Sequence, residues 1–485
     1  MSNADVPVTQ RAIVFQGSVA LGAFETGVFK KLYEMIKEKD KNWKKRMFDI
    51  VAGTSAGAIN AAILTSHVKQ YKSWEGSAEK LEQYWNHLSS PTPPITKQGV
   101  YWWDENYQWW GKYYDSVTTR NNDNRTVASE EAARRYYSAK YFFTYGVPNV
   151  FSPMIPFPEL DAKFLDNYPI FPPTNLWPRY SNEPLRKSLG HVGDDGEVFV
   201  KFPLSTCFEN GEPRFLAVSV DVQHGKPVTF DSYSRSSTFQ AYDPQTGDYK
   251  EQTVNYENGI MPEHVMASAS FPVYFNYEVI EGRKFCDGGI LSNTPLRELL
   301  QAHRDYWYKR MYKQRTELKV PDLDVYIVNV WPSIETTIPT DHDGVVDRKN
   351  DITHSDQTEY DQKIASVVGD YIDLFNETRN IAFKFIPDQN KPAFTKAINK
   401  LLNGTDDKNP KSKKRSGVER SYGDLIFGRF KLNKIITIEH RDDPDSISNK
   451  WADYSEESIN RLISDGEEFH EKAIVRITPA GEELI

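Results

Sequence analysis

Arg11 to Phe15 (RAIVF) is a short apolar run closed by the loop QGSVALG, and the stretch after it repeats apolar residues at Phe24, Val28, Leu32 and Met35. Those two periods predict a strand and then a helix. A second apolar run, Phe48, Ile50 and Val51, stops at Gly-Thr-Ser-Ala-Gly, after which Ala56, Ile59, Ala62 and Ile63 recur at helical spacing. Residues 11 to 67 therefore read β-α-β-α, the start of a mostly parallel sheet with helices on both faces. A further helix is expected over Ala78 to Leu88. RFLAVSVDVQHGKPVTF, from Arg214, predicts two β-rich runs around a His-Gly-Lys turn, and EHVMASASFPVYF a short helix ending near Pro272. YEVIEGRKF predicts a hairpin through Glu281-Gly282 that leads into CDGGILSNTPL, where Pro295 is placed to open a helix through Leu300. VYIVNV (325–330) is a fully apolar strand. A polar loop follows near 335 to 360, and then Ile364, Val367, Tyr371, Leu374 and Thr378 mark a long amphipathic helix. IITIEH is a strand, and DYSEESINRLISDGEEFHEKA a helix with Asp453 and Glu456 at capping-box spacing. No internal repeat is visible.

Between Tyr101 and Tyr180 this patterning stops. Phe, Trp and Tyr make up 21 of those 80 positions, about twice the chain's 13%, and proline is frequent in the second half. Such a stretch reads as an inserted cap, not a sheet layer. Its rings either form the core of the cap or line an acyl-binding groove and dip into a lipid surface.

At 485 residues, 39% hydrophobic and 26% charged, the chain can bury a large core. A net charge of -9 argues against nucleic acid as a partner, because phosphate binding needs a basic face. No apolar run reaches the roughly eighteen residues of a membrane helix, and MSNADVPVTQ lacks the apolar centre of a secretion signal. Cys207 and Cys286, with no metal-ligand spacing around them, read as ordinary thiols. The expectation is a cytoplasmic chain with neither metal nor cofactor. KNPKSKKRSG (408–417) reads as a solvated basic loop that can also meet anionic head groups, a peripheral membrane contact.

The candidate chemistry centres on Ser55. A Gly-x-Ser-x-Gly arises by chance in about one chain in six of this length, so its weight comes from lying between strand and helix. A nucleophile elbow needs that context, with the serine on a sharp turn and Gly53 and Gly57 leaving room for close backbone packing. The helix opening at Ala56 adds free N–H groups beside the hydroxyl. QGSVALG also lies between strand and helix, so its amides can form an anion-holding nest. A P-loop would need Lys and Ser or Thr after Gly22, and a dinucleotide fingerprint would need glycine at Val19; neither spelling is present. For a base, Asp287 stands at a strand end before Gly288 and Gly289, which let the backbone turn sharply, although Asp-Gly is also a common turn.

Taken in order, QGSVALGAFETGV, GTSAG and DGG resemble the patatin-like lipid acyl hydrolases, as do ASASFPVYF, FLAVSVDVQHGKPVTF and the closing DYSEESINRLISDG. The resemblance implies a three-layer α/β/α fold and a serine hydrolase of fatty acyl esters, phospholipase A-like or lysophospholipase-like. It implies a Ser-Asp dyad in which Ser55 attacks and Asp287 takes the proton, with the amides of Gly17, Ser18 and Val19 as the oxyanion hole. On this reading residues 8–95 hold the first part of the catalytic domain and 96–200 the cap. Residues 201–335 continue the catalytic domain, and 336–485 hold a helical elaboration with its closing strand and helix. The chain departs from the family pattern where Ser18, Val19 and Leu21 replace a run of glycines and a basic residue. Val19 adds a β-branched wall where the acyl group approaches, which narrows specificity or silences turnover.

Three rivals remain open at this level. His303 or His440 can complete a Ser-His-Asp triad, although only one βα unit precedes Ser55, whereas α/β-hydrolases place several strands before the elbow. His224 and His264 read as structural or surface residues. The chain can also be a silent lipid-binding scaffold on the same frame, or an acyltransferase sharing every catalytic residue. Nothing in the sequence signals an oligomeric state.

Overall fold

A computed structural model describes residues 7–91, 130–154, 180–310, 320–402 except 337, and 422–478 except 428, 429, 442 and 444. Most of the aromatic stretch and the basic loop at 408–417 lie outside the described residues. In chain order the N-terminal part holds β1 (Thr9–Phe15), α1 (Gly22–Lys39), β2 (Ile50–Thr54), α2 (Ala56–Tyr71) and α3 (Ser77–Leu88). The described part of the inserted region holds α4 (Glu130–Tyr145), the two-residue strands β3 (Ser152–Pro153) and β4 (Tyr180–Ser181), and α5 (Glu183–Leu189). Then come β5 (Arg214–Asp221), β6 (Lys226–Asp231), β7 (Ser236–Asp243), β8 (Asp248–Asn255), α6 (Pro262–Ala269), β9 (Glu278–Ile280), β10 (Arg283–Asp287) and α7 (Leu296–Arg310). The C-terminal part holds β11 (Asp322–Asn329), α8 (His342–His354), α9 (Glu359–Phe385), α10 (Lys391–Leu402), α11 (Tyr422–Phe427), β12 (Leu432–His440), α12 (Glu456–Glu467), α13 (Phe469–Lys472) and β13 (Ala473–Thr478).

The centre of the main sheet is parallel, in the order β12-β11-β1-β2-β5, with β13 antiparallel on the outer edge of β12. Alternation along each strand sorts its side chains onto two faces. Ile13, Phe15, Val51, Phe215 and Ala217 join the larger core, which α1, α2, α3 and α12 cover. Ala12, Val14, Ile50, Ala52 and Leu216 point the other way, under Leu296 and Leu299 of α7. The result is the expected mixed, mostly parallel α/β/α sandwich. Helix α12 closes on α1 where a methyl on Gly27 would overlap the Ile463 carbonyl and one on Gly466 the Phe24 carbonyl, so both positions need glycine for the backbones to meet.

Strand β5 has three neighbours. β6 pairs with its residues 216–221, β2 with 214–218 and β10 with 219–221. Because β6 overlaps both of the others, β2 and β10 must share the opposite edge, end to end. β2 runs parallel to β5 and stops at Thr54 opposite Val218, whereas β10 runs antiparallel and stops at Asp287 opposite Ser219.

Two expectations need correction. The polar stretch 335–360 contains α8, capped by Asp341, whose carboxylate accepts from the Gly344 amide at 3.0 Å. Its polarity misled because the face it buries is ionic: Asp347 and Asp351 close on the Lys450 ammonium at 3.1 and 2.6 Å, all three buried. Helix α12 is capped by Ser455, not Asp453; the Asp453 carboxylate accepts instead from the Ser455 amide and from the Ser455 and Ser458 hydroxyls. The long amphipathic helix is present as α9, but its apolar stripe faces solvent and none of its residues is fully buried.

Candidate active site

Ser55 follows the last residue of β2 and precedes the first of α2, with φ +55° and ψ −124°. Non-glycine residues seldom occupy that region, and the strain is carried by what surrounds it. A methyl on Gly53 would overlap the Gly57 carbonyl, and one on Gly57 would meet the Phe15 carbonyl at 2.5 Å, so the turn cannot be this tight with other residues there. Ser268 of α6 braces it: its hydroxyl accepts from the Ser55 amide at 3.0 Å and donates to the Val218 carbonyl at 2.5 Å. The Thr54 hydroxyl donates to the Ser292 carbonyl at 2.8 Å, tying the elbow to the segment after Asp287.

The abutting ends of β2 and β10 bring Asp287 to Ser55. The Ser55 hydroxyl comes close enough to the Asp287 carboxyl to favour its ionised form, and the Gly289 amide donates to Asp287 Oδ1 at 2.7 Å. The Asp287 amide donates to the Ser270 carbonyl at 3.0 Å. Gly288 lies flat against β5, where a side chain would strike the Val218 carbonyl. Asp287 is 2% exposed and Ser55 7%. Burial pushes the Asp287 carboxyl up to about 7, against the opposing pull of the Ser55 hydroxyl and the Gly289 amide. Burial likewise pushes the neighbouring Cys286 thiol up to about 11, so it stays protonated and inert.

The glycine-bearing loop lies against the elbow: a methyl on Gly17 would come within 3.3 Å of Ser55 Cβ. Of the three expected oxyanion donors, the Gly17 amide is engaged by the Asn293 carbonyl at 3.0 Å. The Leu21 amide donates back to the Ser18 carbonyl at 3.1 Å, which tightens residues 19–21 into a single 3₁₀ turn. Val19 sits at φ +52°, an outlier for a β-branched residue.

Gln16, which the sequence did not single out, fixes this loop. It is fully buried; its carbonyl oxygen accepts from the Val330 and Trp331 amides (2.8 and 3.1 Å), and its NH₂ donates to the Thr294 hydroxyl (3.0 Å) and the His354 carbonyl (3.1 Å). Asn293 donates to the same His354 carbonyl at 2.7 Å, and the Trp331 indole to the Gly17 carbonyl at 2.8 Å. The end of α8 thus holds both the loop and the turn beyond Asp287. Ser268 lies in ASASFPVYF, a stretch the sequence marked only by family likeness; Gln16 carried no signal beyond its place before a glycine.

The four histidines weighed from the sequence are engaged elsewhere. His303 is buried under Phe430 and bonds the Pro321 carbonyl at 2.8 Å, just before β11 begins, whereas Ser55 sits at the far ends of the parallel strands. Burial pushes it down to about 3. His440 packs edge-on against Phe24, with Asp465 at 3.8 Å. His224 pairs with Asp221 at 2.7 Å, and His264 caps α6 by accepting from the Met261 amide at 2.9 Å. Among the described residues no cluster of three or more His, Cys, Asp or Glu side chains is arranged to hold a metal ion, and no helix is long and apolar enough to cross a membrane.

No curated protein matches this chain. Among solved structures it is similar to VipD from Legionella pneumophila, at 13% identity and a TM-score of 0.29, over 95% of this chain and 67% of that one. The family model described as Patatin-like phospholipase matches residues 13–300, more than half of the chain, and the protein belongs to that family of lipid acyl hydrolases.

Proposed function

We propose that the chain hydrolyses fatty acyl esters of phospholipids or lysophospholipids, with Ser55 as nucleophile and Asp287 as its base. The observation that carries this reading is the Ser55 hydroxyl set beside a carboxylate that burial has made far more basic than an ordinary aspartate. Asp287 takes the hydroxyl proton as Ser55 Oγ bonds to the ester carbonyl carbon. With the Gly17 amide engaged, the oxyanion falls to the amides of Ser18 and Val19, beside the N-terminal end of α2. When the tetrahedral adduct collapses, the carbon–oxygen bond to the alcohol breaks and Asp287 returns its proton to that alcohol. Water then attacks the acyl-serine, again giving its proton to Asp287; as the second adduct collapses, the bond from the carbonyl carbon to Ser55 Oγ breaks, Asp287 returns the proton to Oγ, and the fatty acid leaves. No step calls on a histidine, since the partners of the Asp287 carboxylate are Ser55 and Gly289.

Ser55→Ala and Asp287→Asn are each expected to bring hydrolysis of a short acyl ester to background while leaving the thermal unfolding profile cooperative. Because a protonated Asp287 cannot accept a proton, kcat/KM should rise with pH through an apparent pKa near 7. Full activity in Asp287→Asn would remove the base assignment. A wild-type chain that a fluorophosphonate labels no more than Ser55→Ala would favour the silent scaffold.

A further inference from the structure

Helix α9 rests on the body by one side only. Ala365, Val368, Gly369 and Ile372 are half-buried, and two ion pairs pin that side, Arg297 to Asp361 at 3.0 Å and Lys431 to Asp373 at 2.6 Å. The outward side is apolar at every step but Thr378. From Tyr360 its positions step by four and three residues without a break to Phe385, through Ile364, Val367, Tyr371, Leu374, Thr378 and Ile381, and every one is exposed. Leu374 is 63% exposed, Tyr371 68% and Phe385 84%. A helix that merely covers its own core keeps a 3.6-residue period, whereas the unbroken alternation of four and three is the 3.5-residue seam of a coiled coil. Here it lasts nearly four heptads, about 38 Å at 1.5 Å per residue.

We propose that this seam is the docking face for one amphipathic helix of another protein, which lies along α9 as the second member of a two-helix coiled coil. The flank of the seam selects that occupant. With Ile364, Tyr371, Thr378 and Phe385 at the first apolar position of each heptad, the residues just before them are Lys363, Asp370, Glu377 and Lys384, all exposed. Their order is positive, negative, negative, positive, and it reads the same in both directions. A second copy packed antiparallel in register would set Lys363 against Lys384 and Asp370 against Glu377. Packed parallel, it would set Asp370 and Glu377 against Phe375 and Ala382, so like charges or unpaired carboxylates oppose self-pairing either way. A lipid surface is disfavoured too, because interfacial helices border their apolar face with Lys and Arg, and the middle of this border is acidic. The matching partner is a helix with a heptad apolar stripe flanked by acid, base, base and acid.

The test uses the full chain and a fluorescent synthetic peptide of four heptads, apolar at both seam positions and carrying Glu, Lys, Lys and Glu at the facing flank; a second peptide carries Lys, Glu, Glu and Lys. In fluorescence anisotropy the first is expected to bind, and the second roughly tenfold or more weakly. The double variant Val367→Glu, Leu374→Glu should lose binding with no fall in unfolding temperature, since both side chains point into solvent. Absence of binding, or equal binding of the two peptides, overturns the proposal. So does sedimentation of the protein alone as a dimer that Leu374→Glu disperses, or flotation with phosphatidylserine vesicles that the same variant abolishes.

Discussion

At Ser55 and Val19 the chain holds two non-glycine residues at positive φ, at +55° and +52°, on the two loops that meet at the candidate site. Each conformation costs on the order of 1–3 kcal/mol and persists only because the surroundings demand it. For Ser55 the demand comes from the elbow; for Val19 it comes from a loop clamped on both sides by Gln16 and Asn293. Val19→Gly therefore relieves strain while losing the valine's packing, and its unfolding temperature should stay within a few degrees of wild type. If the isopropyl group walls the acyl approach, the same change raises kcat/KM for bulky acyl esters relative to short ones, which a chain-length series measures. Asp287 makes the opposite trade. Its folded pKa of about 7 lies above the ordinary carboxylate value, so the ionised form is disfavoured by folding. The stability it contributes is greatest below about pH 4 and falls as pH rises toward 7. Asp287→Asn should thus unfold at a higher temperature than wild type at pH 8 and gain less at pH 5, as calorimetry at the two pH values would show.

Among the elements, the strands of the catalytic layer were legible because their apolar runs are bounded by Gly, Pro and Asp, and the elbow because two periods change on either side of one serine. What escaped was built from polar contact. Strands β7 and β8 pair with each other as a polar, largely exposed hairpin, and no apolar alternation announces them. Helix α8 escaped because it buries carboxylates instead of leucines. That ionic seat makes a sharp prediction: Lys450→Met leaves Asp347 and Asp351 buried without a cation. Removing one partner of such a set costs about 3–5 kcal/mol. Since the end of α8 carries the carbonyl that holds Gln16 and Asn293, the variant should lose kcat more than it raises KM. The set responds to pH in the same sense as Asp287: burial pushes Asp351 up to about 6 in spite of Lys450, so its contribution to stability is greatest below about pH 4 and falls as pH rises through 6. Replacing Asp347, Asp351 and Lys450 together by apolar residues should restore much of the unfolding temperature.

Across the whole molecule, one core joins the catalytic layer to the inserted region: Phe142, Phe151, Tyr180 and Leu189 belong to the same buried cluster as Phe15 and Phe215. Residues 130–154 and 180–200 are therefore expected to unfold with the sheet in a single transition. Helix α9 is different, having no buried residue, and its stability is local. Hydrogen exchange should show β1, β2 and β5 slowest and α9 opening far more readily. Sequence patterning reported that α9 is amphipathic but not which way it faces, because 3.5- and 3.6-residue stripes diverge by only about 20° per heptad and become telling once exposure shows which positions lie outward. The Ser55–Asp287 pairing was legible only through family likeness, since no local pattern relates residues that far apart in the chain.

A single backbone, β5, carries both ends of the candidate reaction centre at adjacent residues, with Thr54 opposite Val218 and Asp287 opposite Ser219. The centre therefore has no hinge: drawing Ser55 and Asp287 apart would mean tearing ladder hydrogen bonds in the middle of the sheet. Evolution or an effector can throttle such an enzyme cheaply only by reshaping the 16–22 loop or by blocking the way in.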